Sequence, residues 1–199
     1  MTNVPNRSAT ESRKTRETDV AVALNLDGEG RTRIASGIGF LDHMLDLLGK
    51  HAGLDLEIKA TGDTHVDAHH TVEDVGICLG KALAAALGDK RGIRRFGFAS
   101  VPMDEALAEV SLDLSGRPFL VFAAAFPTEK TGAFDAQLVE EFLRALGGNA
   151  GLTLHVRVPY GRDTHHMAEA IFKALARALR EAVARDPRVS DVPSTKGVL

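Results

Sequence analysis

Apolar and polar residues alternate along DVAVALNLD at residues 19–27, the period-2 mark of a half-buried strand, and Gly28 and Gly30 flank a turn into RTRIASGI. A β-hairpin is the expectation for that pair. The period then changes. In FLDHMLDLLGK, Phe40, Met44, Leu47 and Leu48 fall at helical spacing, and Gly53 follows as a stop signal. LDLEIKATG returns to period 2, and the Ala- and Leu-rich stretch from Thr71 to Leu87 predicts a helix that ends at Gly88.

The second half of the chain repeats this order. GFASVPM, ALAEVSLDLSG and PFLVFAAAF read as strands, AFDAQLVEEFLRALGG as a helix, LTLHVRVPY as a strand, and MAEAIFKALARALREAVARD as a long helix stopped near Pro187. HAGLDLEIKA at 51–60 matches NAGLTLHVRV at 149–158, 98 residues later, with the Ala, the Gly and both Leu aligned. The fold class expected is α+β, built by internal duplication of a β-β-α-β-α unit. The halves fall at 11–92 and 93–190, between a disordered tail at 1–10 and a C-terminal tail at 191–199.

Composition narrows the function classes. A chain of 199 residues with 44% hydrophobic content can bury a sizeable core. A net charge of −3 argues against nucleic acid or a membrane surface as the main partner, and the absence of Trp weakens base stacking further. The single cysteine, Cys78 in VGICLGKAL, reads as a buried inert thiol, so no disulfide forms within the chain. The N-terminus has no apolar h-region and no run of about eighteen apolar residues occurs, so a cytoplasmic protein is expected.

The chemistry concentrates in a repeated motif. DAHHTVED at 67–74 and DTHHMAEA at 163–170 both carry His-His-x-x-Glu, 96 residues apart. On a helix, His69 and His70 each lie within one turn of Glu73, while the two rings diverge by about 100° and can serve different metal ions. His165, His166 and Glu169 repeat that geometry. Four imidazoles and two carboxylates suit manganese, iron, cobalt or zinc, and the lack of cysteine ligands disfavours a purely structural zinc site. A lone His-His pair is often only a surface cap, but duplication in register favours ligation. Of the other histidines, His43, flanked by Asp42 and Asp46, is a further candidate ligand, and His51 either caps its helix or faces substrate. His65 reads as exposed, and His155 as a solvated or interface residue. The repeat offset of 98 carries His43 onto Glu141, which makes that carboxylate a candidate ligand; the alternative is a solvated glutamate beside Glu140.

GFLDHML, ATGD followed by DAHHTVED, IRRFG, SGRPF, GRDTHHMAEAIFKALARALR and the terminal STKG together resemble the imidazoleglycerol-phosphate dehydratase family of histidine biosynthesis, over about residues 8–197. The resemblance implies two halves, each a four-stranded mixed sheet with helices on one face. It also implies two Mn2+ ions per subunit and a hydro-lyase reaction that converts D-erythro-imidazole-glycerol phosphate to imidazole acetol phosphate. In that family the proton to be lost is not beside a carbonyl, so the imidazole ring, as an imidazolate bound by two metals, takes the charge and yields a diazafulvene-like intermediate. Carried over, one ion falls to His69, His165 and Glu169, and the other to His43, His70, Glu73 and His166. Glu141 stands where many members have a histidine. Glu17 in RETDV matches a substrate-contacting carboxylate, Lys173 a residue near the reacting groups, and Arg95, Arg117, Ser194 and Lys196 the phosphate contacts. The resemblance further implies a homo-oligomer of twenty-four subunits in an octahedral shell with sites at subunit interfaces.

Two other classes share the ligand types. A dinuclear metallohydrolase would use them to activate a bridging water. A diiron carboxylate protein would place Glu-x-x-His motifs in a four-helix bundle, but the motif order here is reversed and strands interleave the helices.

Overall fold

A computed structural model describes residues 7–199. Ser8–Lys14 (β1) and Thr18–Asn25 (β2) pair antiparallel, followed by Thr32–Ala35 (β3), Gly39–Ala52 (α1), Asp55–Gly62 (β4) and His69–Leu87 (α2). The second half runs Phe96–Met103 (β5), Ala106–Asp113 (β6), Phe119–Ala123 (β7), a short pair Lys130–Thr131 (β8) and Phe134–Asp135 (β9), Gln137–Ala150 (α3), Thr153–Tyr160 (β10) and Thr164–Val183 (α4). Each half is therefore α+β, as expected, but its unit is β-β-β-α-β-α, one strand longer than the expected β-β-α-β-α.

The added strand of the first half is β1, which takes up Ser8, Ala9 and Thr10 from the segment expected as a disordered tail; residues 1–6 lie outside those described. SATESRK has almost no apolar residue to display a period. Backbone pairing with β2 holds it, and only Ala9 and Glu11 turn partly inward.

Both sheets are four-stranded and mixed, in the equivalent orders β1-β2-β4-β3 and β5-β6-β10-β7. The hairpin expected between DVAVALNLD and RTRIASGI does not form: β2 pairs with β1 and β4, and β3 lies parallel to β4 on its far side. Asp55 explains the arrangement. Its Oδ1 accepts hydrogen bonds from Glu29 N at 2.9 Å and Arg31 N at 3.0 Å, folding the connecting turn over the start of β4. A parallel neighbour then needs a crossover, which α1 supplies.

Period-2 burial sets the inner faces. Val20, Val22 and Leu24 of β2 are buried, as are Ala108, Val110 and Leu112 of β6, 88 residues later. The offset is 98 for β4 and β10, so ten residues are inserted in the second half, in the segment that holds β8 and β9. Helix α2 covers the first sheet and α4 the second; α3 packs on α2 and α1 packs on α4, so the helices of both halves share one central layer. Each buried Leu, Ile or Phe there is worth roughly 1.5–3 kcal/mol. Gly76 and Gly80 let α2 approach α3 closely, because a Cβ at either would meet Ala145 or the backbone of Phe142 and Leu146.

Candidate metal centre and active site

Both His-His-x-x-Glu motifs open helices. Asp163 caps α4, its side chain accepting from His165 N and His166 N, and Asp67 likewise accepts from His69 N at 2.8 Å at the start of α2. The two histidines of each motif are splayed: the ring planes of His69 and His70 cross at 87°, those of His165 and His166 at 84°. A helix forces this divergence, and it points each pair at different surroundings.

The α1–α4 contact builds a cluster. His43 Nε2 lies 2.9 Å from Glu169 Oε1, and His165 Nε2 lies 3.0 Å from the same oxygen. Lys173 Nζ donates to Glu169 Oε2 at 2.5 Å. Burial would raise the Glu169 carboxyl, but the bonds from Lys173, His43 and His165 hold it down at about 2. His43, His165 and Glu169 offer ligand atoms that all lie within 4.8 Å of one another, and so do Glu17, Asp63 and His70. These nitrogen and oxygen donors fit a borderline or hard divalent ion. An open pocket of about 750 Å³ lies over the first cluster, walled by Phe40, His43, His165, Val66 and the inserted β8–β9 segment through Lys130 and Phe134.

Within one chain His43 groups with His165 and Glu169. The physical reason is the crossed packing of α1 on α4, which spacing along the chain does not reveal. Glu141, the repeat equivalent of His43, sits partly buried on α3, the helix that packs on α2. His51 is half-buried at the end of α1; burial, with Lys173 and Arg177 nearby, pushes its pKa down. His65 and His155 are exposed.

The expected phosphate contacts gather elsewhere. Arg95, at a left-handed φ of 73°, donates to both Asp113 oxygens at 2.7 and 3.0 Å and to Pro193 O at 2.8 Å, tying the tail that carries Ser194 and Lys196 to the end of β6. Arg117 is exposed in the loop that follows β6, and Leu199 lies against Gly116. Glu17 is exposed in the turn before β2, 3.8 Å from His70 Nδ1.

Two carboxylates at the motifs escaped sequence reading. Asp63 Oδ2 lies 3.0 Å from His70 Nδ1, and Glu105 Oε2 lies 2.7 Å from His166 Nδ1. Asp63 pushes the His70 pKa up and Glu105 does the same for His166. Asp63 ends the ATGD segment that precedes the first motif. Glu105 directly precedes β6 as Glu17 directly precedes β2, a correspondence at offset 88 that the 98-residue match conceals.

These features define a class first: a duplicated α+β protein whose two equivalent helix starts carry matched imidazole and carboxylate groups of the types that can ligate a divalent metal. The family follows from comparison with known proteins. The imidazoleglycerol-phosphate dehydratase family model matches residues 36–179. The chain is 61% identical to the imidazoleglycerol-phosphate dehydratase of Methylobacterium radiotolerans, over 97% of this chain and 100% of that one. It is 62% identical to the dehydratase of Symbiobacterium thermophilum, over 94% and 90%. Among solved structures, it superposes on the Staphylococcus aureus dehydratase with a TM-score of 0.81 at 43% identity, covering 89% of this chain and 100% of that one. For the Pyrococcus furiosus enzyme in complex with (S)-C348 the TM-score is 0.82 at 37% identity, covering 94% and 99%. The chain belongs to the imidazoleglycerol-phosphate dehydratase family, a family of hydro-lyases that act in histidine biosynthesis.

Proposed function

We propose that this chain dehydrates D-erythro-imidazole-glycerol phosphate to imidazole acetol phosphate with two Mn2+ ions per subunit, in a homo-oligomer of twenty-four copies in the cytoplasm. The observation that carries the metal reading is the convergence of His43, His165 and Glu169 within 4.8 Å. His69, His70, Glu73 and His166 are the other motif ligands, and Glu141 joins them as the repeat equivalent of His43. When bound, the ions supply the positive charge that lets the substrate ring lose its N–H and become rich enough in electrons to expel the neighbouring hydroxyl.

The chain's own groups handle protons and phosphate. Lys173, held by Glu169, is a cationic donor beside the first cluster and serves the departing hydroxyl, which leaves as water. Glu17, near His70, serves the proton lost from the next carbon, and the resulting enol becomes the ketone. His51 faces the substrate from the end of α1. Arg95, Arg117, Ser194 and Lys196 bind the phosphate.

Strand β6 supports a site shared between copies. Glu105, beside His166, precedes its first residue, and Asp113, which holds Arg95, is its last. At about 3.3 Å per residue the two ends stand about 25 Å apart. A five-membered ring with a three-carbon phosphate chain does not span that length, so the phosphate contacts of one copy serve the metal donors of another.

Elemental analysis and a turnover assay test the reading together. Two manganese ions per chain and formation of imidazole acetol phosphate are expected, with no hydrolysis of simple phosphate esters; ester hydrolysis without dehydration would favour the metallohydrolase instead. Glu141→Ala should weaken one ion at least about tenfold. Glu140→Ala, which removes only a surface pair with Arg144, should leave both ions in place.

A further inference from the structure

The second histidine of each motif is held at Nδ1 by a carboxylate that comes from a different element in each half. In the first half it is Asp63, just after β4. The register irregularity in β10 between Arg157 and Tyr160 adds one residue to the offset of 98, so Gly62 corresponds to Gly161 and Asp63 to Arg162, which offers no carboxylate. The second half therefore cannot use that position. Glu105, from the turn before β6, reaches His166 instead, at 2.7 Å. Its first-half counterpart, Glu17, stands back at 3.8 Å from His70, where Asp63 already occupies Nδ1 at 3.0 Å.

We propose that Asp63 and Glu105 are positioning residues: each accepts the Nδ1–H of its histidine, fixes the tautomer, and leaves Nε2 with its lone pair aimed at a metal ion. The role rests on the two-ion reading above. An imidazole can ligate through one nitrogen only if the proton sits on the other, so the partner at Nδ1 decides whether Nε2 is a ligand or a donor. The same device frees Glu17 of the first half from holding a histidine.

The two carboxylates differ in one respect that makes the idea testable. Glu105 Oε1 is committed to the backbone, accepting from Arg162 N at 3.0 Å and Asp163 N at 2.8 Å. Asp63 Oδ1 is buried without a hydrogen-bond partner among the described residues. In Glu105→Gln the carbonyl oxygen must keep facing those two amides, so the NH2 group faces His166 and forces its proton onto Nε2. In Asp63→Asn nothing fixes the amide, and its oxygen can still face His70.

The test uses the full chain. Manganese is titrated while the free ion is followed by electron paramagnetic resonance, and the ring tautomers of the metal-free chain are read by imidazole ¹⁵N correlation spectra. Glu105→Gln should weaken one ion by about 10–100-fold and move the His166 proton to Nε2, with the thermal midpoint of the metal-free chain unchanged. Asp63→Ala should weaken the same ion by a similar factor, since His70 and His166 belong to one ligand set, and Asp63→Asn should behave as wild type. A loop-anchoring role alone would survive Glu105→Gln, so wild-type affinity in that variant overturns the proposal. So does a metal-free wild-type His166 that carries its proton on Nε2. If Glu105→Gln does not fold, the Asp63→Ala and Asp63→Asn pair carries the same contrast. A wild-type chain that takes up no manganese overturns the two-ion reading, and the tautomers then decide the positioning role alone.

Discussion

Asp55 shows how much of the fold a single side chain can direct. Besides the two backbone amides of the turn, it accepts from Arg31 Nη2 at 2.9 Å, and these bonds hold its carboxyl at about 2, below its ordinary 3.8. Because the folded pKa is depressed, its contribution is fully present above the ordinary value and is lost as pH falls towards about 2. Asp55→Ala should cost about 1–3 kcal/mol near neutral pH in urea unfolding. That difference from wild type should shrink as pH is lowered below about 4. A gap that stays constant down to pH 2 would show that the carboxylate is not what holds the turn. At this scale the ligand types were legible, since His-His-x-x-Glu appears twice in the letters. Their hydrogen-bond partners were not, because Glu105 lies 61 positions from His166 and only packing joins them.

At the scale of elements, intrinsic propensity and packing disagree at the α2–α3 contact. Replacing a helical glycine by alanine favours an isolated helix by up to about 1 kcal/mol. At Gly80, however, a Cβ would lie 2.6 Å from Leu146 O and 2.8 Å from Asn149 Cβ, against a helix backbone that cannot yield alone. Packing wins, and Gly80→Ala should destabilise the chain by about 1–3 kcal/mol in chemical denaturation, whereas alanine at the open Gly148 should not. Every helix, and every strand with a clear apolar alternation, was legible in the sequence. The edge strand β1 was not, because a strand held mainly by backbone pairing leaves little apolar period to read. Nor was the pairing of β3 with β4, since alternation fixes which face is buried and not which neighbour is hydrogen-bonded.

At the scale of the whole molecule, the length of β6 separates the proposed metal donors from the proposed phosphate contacts. Complementation follows from that separation. His166→Ala and Lys196→Ala chains should each be inactive alone, and mixed assemblies formed from both should recover a measurable share of wild-type turnover. Mixed assemblies as inactive as their parents would mean that each chain binds its substrate alone.

By itself the sequence determined the duplicated α+β plan, the buried faces, the helix starts and the metal-type chemistry of the motifs. All of these are local: they follow from periodicity, caps and spacing within about one or two turns of helix. Only the tertiary structure decided that His43 meets Glu169, that Glu105 takes the place of Asp63 in the second half, and that Arg95 stands a strand's length from His166. Those contacts join residues distant along the chain, and their distances are set by how α1 crosses α4 and how the sheets are ordered.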